Sequence, residues 1–548
     1  MKQLFSVVVF SFVCIIANAQ SFQNPILAGY YPDPSICRAG DDYYIVNSSF
    51  AYYPGLPLFH SKDLVNWKQI GYAMNRPEQL NLDGAGVSRG LFAPAISYHN
   101  GTFYIVCTEV SKLGNFVITA KDPKGPWSNP VKLPQVNGID PSLFFDTNGK
   151  TYIVYNSIPP NNISAHDGHR TIRMYEFDAV NLNVIGEEKL LINGGTDMAK
   201  KPVWIEGPHI IQKDGWYYLI CAEGGTGYNH SEVVFRSKSV EGPYVSYENN
   251  PILTQRHLDP TRKNPITTTG HADFVEDKDG KWWGVFLGCR PYEGDYYNTG
   301  RETFMAPVVW KNGWPEFALG GDEIKYSYPI KAVVDPKMEK FNGNYLFRDD
   351  FNHKQLNQRY RFLRTVRSDW YNLTTKPGSL TLQLRPETCA GKENPSFVGF
   401  HQPHLFGYAA TSMSFTANEE NEKSGLLVFQ NEHSYYFLCK SIKDGVPVVE
   451  LYKGTELITR KQLPLKETDN IQFKIAAKGS EYAFYYAITE NNWLLIADHV
   501  DGKYLSTKTA GGFVGAVYSM YTTANGKQSA NTASFNWFEI KNEDSIYK

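Results

Sequence analysis

The chain of 548 residues carries almost no net charge, with 54 basic residues set against 56 acidic ones. Nucleic-acid binding driven by a strong global positive charge is therefore excluded. Cysteine is scarce: seven residues lie scattered, and neither a CxxC nor a His-x-x-x-His spacing marks a zinc site. Long apolar runs are missing apart from Leu4 to Ala19, so no later segment is long enough to span a bilayer as a helix. Low-complexity tracts are absent and segments of helical period are few. Aromatic side chains, in contrast, are abundant: 11 Trp, 36 Tyr and 32 Phe against 20% charged residues. Such a chain buries a sizeable core and is not disordered.

At the N-terminus, Lys2, a short apolar run and Ala17-Asn18-Ala19 predict a secretory signal peptide over residues 1–19. The exported protein, periplasmic or secreted, would begin at Gln20. Cys14 sits inside the apolar run, which argues against lipid attachment there. Cys107 and Cys221 fall in apolar strand-like runs and read as buried free thiols.

Short β-branched and aromatic runs bounded by Gly, Asn, Asp and Pro dominate the rest, and five of them form a recurring unit. The units open with Tyr31-Pro-Asp-Pro-Ser-Ile36, Phe92-Ala-Pro-Ala-Ile96, Ile139-Asp-Pro-Ser-Leu143, Ile205-Glu-Gly-Pro-His-Ile210 and Gly270-His-Ala-Asp-Phe274. Each runs on through a turn into an aromatic strand. Asn100-Gly101, Asn148-Gly149, Asp214-Gly215 and Asp279-Gly280 are read as hairpin dipeptides with positive φ. Repeats of this size predict an all-β fold, a five-bladed β-propeller over residues 20–330 whose opening segments converge on a central channel. A linker over 331–344 leads to further alternating strands, which predict a β-sandwich over 345–548.

Three opening segments bring a carboxylate to comparable positions: Asp33, Asp140 and Glu206. A lone Asp before Pro is usually a turn residue. Three at one channel mouth repel one another, and at least one should have a raised pKa, as a general acid paired with a general base requires. The same cluster is also what a cation site looks like, so structural calcium is the competing reading.

These motifs, with Ala222-Glu-Gly-Gly-Thr-Gly-Tyr228 and Gly300-Arg-Glu-Thr303, resemble glycoside hydrolase family 43, the β-xylosidases and α-L-arabinofuranosidases. The C-terminal part resembles the sandwich of that branch through Phe347-Arg-Asp-Asp-Phe351, Lys376-Pro-Gly378 and Gly512-Phe-Val-Gly515. The resemblance implies an inverting exo-glycosidase releasing terminal α-L-arabinofuranose from hemicellulose-type glycans, with β-D-xylose as the near alternative. It implies Asp33 as general base, Glu206 as general acid and Asp140 as the carboxylate that tunes the acid. A nearby acid is expected to keep Glu206 protonated while Asp33 stays ionised. Arg301 would pair with the tuning carboxylate and reach the substrate. His271 would contact the sugar and, through water, a bound ion. Phe50, Phe92 and Thr226 would wall the sugar site, and Phe92 departs from the Trp common in xylosidase relatives. No cofactor is required, and the partners are hemicellulose-derived oligo- or polysaccharides.

Trp370, Tyr435, Tyr436 and Trp537 are the aromatics a glycan-binding sandwich would expose, but a pocket-closing role through Gly511–Gly515 is preferred. Asn536 stands where many relatives carry an acid, which weakens an ion site in the sandwich. The reading from another class is a catalytically silent glycan-binding propeller, against which the three intact carboxylates argue.

Overall fold

The computed structural model describes residues 20–464 and 470–548. The expected signal peptide lies outside the described residues. Five antiparallel sheets follow one another along the first part of the chain, each a meander in chain order. Their first strands are Ser35–Ala39, Ala95–His99, Ile139–Phe145, Glu206–Lys213 and Thr267–Glu276. Each pairs with the aromatic strand expected after its turn: Asp42–Val46, Thr102–Glu109, Thr151–Ser157, Trp216–Glu223 and Trp282–Cys289. The first strand of each sheet also packs against that of the next, and the fifth packs against the first.

Turn chemistry splits the four expected dipeptides. Asn100-Gly101 and Asp214-Gly215 have positive φ at both residues, as two-residue hairpins of this type need. In Asn148-Gly149 and Asp279-Gly280 only the glycine is left-handed. Those turns are longer, and Asp146 and Asp277 close them by accepting backbone N–H groups through their carbonyls.

Two further antiparallel sheets, of eight and six strands, form the second unit. Between them lies an apolar layer that includes Leu426, Val428, Leu438, Phe473, Phe484, Phe535 and Phe538. The opposite face of the six-stranded sheet is apolar as well. Phe397, Leu427, Phe429 and Val517 there join one cluster with Tyr30, Phe50 and Tyr52 of the first unit. This shared cluster presses the second unit onto the face where the first strands begin.

Several contacts fasten the junction. Phe362–Leu363 of the second unit pairs with Tyr52–Tyr53 of the first. The fully buried Arg290 binds Glu302 in bidentate fashion and donates to the Pro403 carbonyl of the second unit. Gly300 and Gly515 meet back to back: a Cβ on Gly515 would lie 2.4 Å from the Thr299 carbonyl oxygen. Only glycine permits that approach. The six described cysteines are free thiols, all buried except the half-buried Cys37.

Candidate active site

The start of a first strand is where regular pairing gives way to special geometry. Register shifts fall between Ile139 and Ser142, between Glu206 and His209, and on both sides of Gly270. Asp33, Asp140 and His271 have φ of 50°, 54° and 55°, and Phe50 and Trp204 have 49° and 52°. Left-handed backbone at a non-glycine residue costs about 1–3 kcal/mol, and such residues cluster at functional sites. Here the distortion turns all of these side chains toward one cavity of about 300 Å³.

All eight residues expected at the site line that cavity: Asp33, Phe50, Phe92, Asp140, Glu206, Thr226, His271 and Arg301. Five more do so without having been singled out: Ala93, Ile139, Trp204, Gly225 and Phe513. Ala93, Ile139, Gly225 and Phe513 lie inside the motifs named above and Trp204 immediately precedes one, which was their only sequence signal. Phe513 comes from the Gly511–Gly515 loop of the second unit. Its ring stacks 5.9 Å from Phe50 and meets Phe92 edge-on at 6.0 Å. Its backbone N–H donates to Ser88 Oγ at 2.9 Å. The loop expected to close the pocket thus forms one of its walls.

The three carboxylates are almost wholly buried, yet each is handled differently. Asp33 accepts from Arg301 Nη1 at 2.6 Å through one oxygen and from the Ser48 hydroxyl through the other. Burial, and then the charge of Asp33, push the pKa of Glu206 up to about 7, while Thr226 donates to its Oε1 at 3.3 Å. Asp140 is raised well above the carboxylate range by burial first, then by Glu206 and Asp33, with the Gly207 N–H opposing.

Two expectations change here. Arg301 pairs with Asp33 rather than with Asp140: its Nη1 lies 2.6 Å from Asp33 Oδ1. The principal cause of the raised Glu206 pKa is burial, with the charge of Asp33 second, rather than a neighbouring acid alone.

His271 is buried with its pKa lowered to about 4, chiefly by desolvation, so its imidazole is neutral near pH 7. It packs on Gly207, where a Cβ would sit 2.9 Å from the ring. No group of three or more His, Cys, Asp or Glu side chains is placed to hold a metal ion directly among the described residues. In the sandwich, Asn536 is held between Ser379 and Ser412. Of the aromatics a glycan-binding face would expose, Trp370, Tyr435 and Tyr436 are buried in cores, and Trp537 is half-covered by Arg348. Those three therefore form no exposed platform: Trp370 and Tyr436 join the larger apolar cluster, and Tyr435 joins the one shared with Tyr30, Phe50 and Tyr52.

Chemically, a buried carboxyl of raised pKa, an ion-paired carboxylate and a ring-lined cavity suit proton transfer to and from a bound sugar. The profile of glycosyl hydrolases family 43 matches residues 22–315, and that of the β-xylosidase C-terminal concanavalin A-like domain matches 348–541. A xylosidase/arabinosidase of Butyrivibrio fibrisolvens is 38% identical over 96% of this chain and 99% of its own length. The non-reducing end α-L-arabinofuranosidase BoGH43B of Bacteroides ovatus is 36% identical over 95% of each chain. Among solved structures, a GH43_12 protein from a capybara gut metagenome superposes with a TM-score of 0.85 at 40% identity, covering 92% of this chain and 95% of that one. The chain belongs to glycosyl hydrolase family 43 and is a glycoside hydrolase.

Proposed function

We propose that the protein is an inverting, exo-acting glycosidase that removes terminal α-L-arabinofuranose from hemicellulose-type glycans. In this reading the five sheets close into a five-bladed propeller, supported by the packing of Thr267–Glu276 against Ser35–Ala39. The observation that carries the chemistry is the contrast inside one cavity. Glu206 is held near pKa 7, ready to protonate the departing oxygen, while the Asp33 carboxylate is oriented by Arg301 and Ser48 to take a proton from water. Asp140, its pKa raised by burial and by the other two carboxylates, sits beside the Gly207 amide, where it can hydrogen-bond a sugar hydroxyl. A cavity of about 300 Å³ walled by Phe50, Phe92 and Phe513 suits one terminal sugar better than an internal stretch of polymer.

The full-length similarity to a non-reducing end α-L-arabinofuranosidase favours arabinofuranose. The similarity to a xylosidase/arabinosidase keeps β-D-xylose as the second reading. Initial rates on aryl α-L-arabinofuranoside and aryl β-D-xyloside, measured side by side, test the sugar. A strong preference for the xyloside would replace the first reading by the second. Proton NMR of the first-formed sugar tests the stereochemistry, and a product of retained anomeric configuration would refute inversion.

A further inference from the structure

One arginine beside the site has an unused guanidinium. The Cζ atom of Arg170 lies 3.9 Å over the ring of Trp204, which itself lines the cavity two residues before Glu206. Its Nε is buried without a hydrogen-bond partner, and its guanidinium makes no hydrogen bond or ion pair among the described residues. The fully buried Arg290 and Arg364, in contrast, are engaged: Arg290 holds Glu302 and the Pro403 carbonyl, and Arg364 holds Glu432 and the carbonyls of Ala85 and Glu393. A buried, unused Nε–H donor costs stability unless another group satisfies it, while the terminal nitrogens of this half-buried residue stay open to solvent.

Nor is Arg170 a loosely placed surface residue. Its carbonyl accepts from the Gly194 N–H at 2.9 Å, and the Gly168 carbonyl accepts from the Trp204 N–H at 2.8 Å. Loop and ring are therefore tied together, and the guanidinium is stacked before substrate arrives. The charge of Arg170 reaches Glu206, where it opposes the upward pull of burial. A general acid stands where the leaving oxygen departs, so the groups that flank it flank the leaving sugar.

We propose that Arg170, stacked on Trp204, is a specificity-determining residue for the leaving group, donating hydrogen bonds to hydroxyl or ring oxygens of the sugar from which the terminal residue is cut. This rests on Glu206 being the acid. The ligand class is a neutral glycan, whose oxygens accept from a guanidinium without requiring a charge of their own.

The test compares two substrates sharing the preferred terminal sugar: an aryl glycoside, whose leaving group lacks hydroxyls, and the corresponding oligosaccharide. The variants are Arg170→Met, which keeps a stem over the ring, and Arg170→Lys, which keeps the charge without the fork. In Arg170→Met the ratio of kcat/KM for oligosaccharide over aryl glycoside should fall about tenfold or more, as expected for a lost charge-assisted hydrogen bond. Arg170→Lys should recover part of it. A ratio within threefold of wild type in both variants would overturn the proposal. That includes an equal loss on both substrates, which would mean that Arg170 only props Trp204. Glu206→Gln is assayed in parallel: full activity on the oligosaccharide would remove the acid assignment itself, whatever the Arg170 ratios are.

Discussion

Replacing Glu206 by Gln should trade activity for stability, with a pH dependence that identifies the cause. In the unfolded chain the carboxyl titrates near its ordinary value of 4.5, while in the folded protein burial and Asp33 hold it near 7. Between those values the native state binds the additional proton, so stability present below pH 4.5 is lost as pH rises toward and through 7. The difference corresponds to about 3 kcal/mol. Gln cannot ionise and escapes the loss. Relative to wild type, Glu206→Gln should thus gain about 3 kcal/mol between pH 4.5 and pH 8, or about 5 °C in the melting temperature of a unit this size. Thermal melts of both proteins at pH 4.5 and pH 8 supply the test. Parallel shifts in the two proteins would refute the claim that Glu206 holds its proton in the fold. The same proton should appear in catalysis: wild-type hydrolysis of sugar leaving groups should fall as pH rises past about 7. The Gln variant should lose that hydrolysis while sparing aryl glycosides with good leaving groups.

Phe513→Ala removes the wall contributed by the second unit, and with it ring contacts to Phe50 and Phe92 worth about 1 kcal/mol each. Steady-state kinetics should show kcat/KM down by about tenfold, carried mainly by KM. Gly515→Ala places a Cβ 2.4 Å from the Thr299 carbonyl, so the junction must open; the expected cost is about 1–3 kcal/mol, read as a lower melting temperature together with weaker catalysis. In Arg290→Met, Glu302 is left buried without its partner, and a loss of about 3–5 kcal/mol should appear in denaturant unfolding. A variant as stable as wild type would show that the Gly29 and Thr299 donors suffice for Glu302.

Five recurring opening segments, each followed by a turn and an aromatic strand, could be read directly because strand pairing between neighbours in the chain is encoded locally. The same regularity placed Asp33, Asp140 and Glu206 at equivalent positions, and the eight expected residues do line one cavity. What the sequence determined, then, was which segments are strands and which side chains stand at their ends. Other features depend on residues far apart in the chain. Phe513 is a pocket wall only because the six-stranded sheet shares an apolar cluster with Tyr30, Phe50 and Tyr52. Tyr435 and Trp370 are buried rather than displayed because each joins an apolar cluster assembled from segments distant in the chain, and alternation along a strand does not say what lies opposite. Arg301, 268 residues beyond Asp33, chose that carboxylate over Asp140 through its position in space. The raised pKa of Glu206 likewise comes first from the water excluded around it, a property of the packed structure that no local pattern of residues contains.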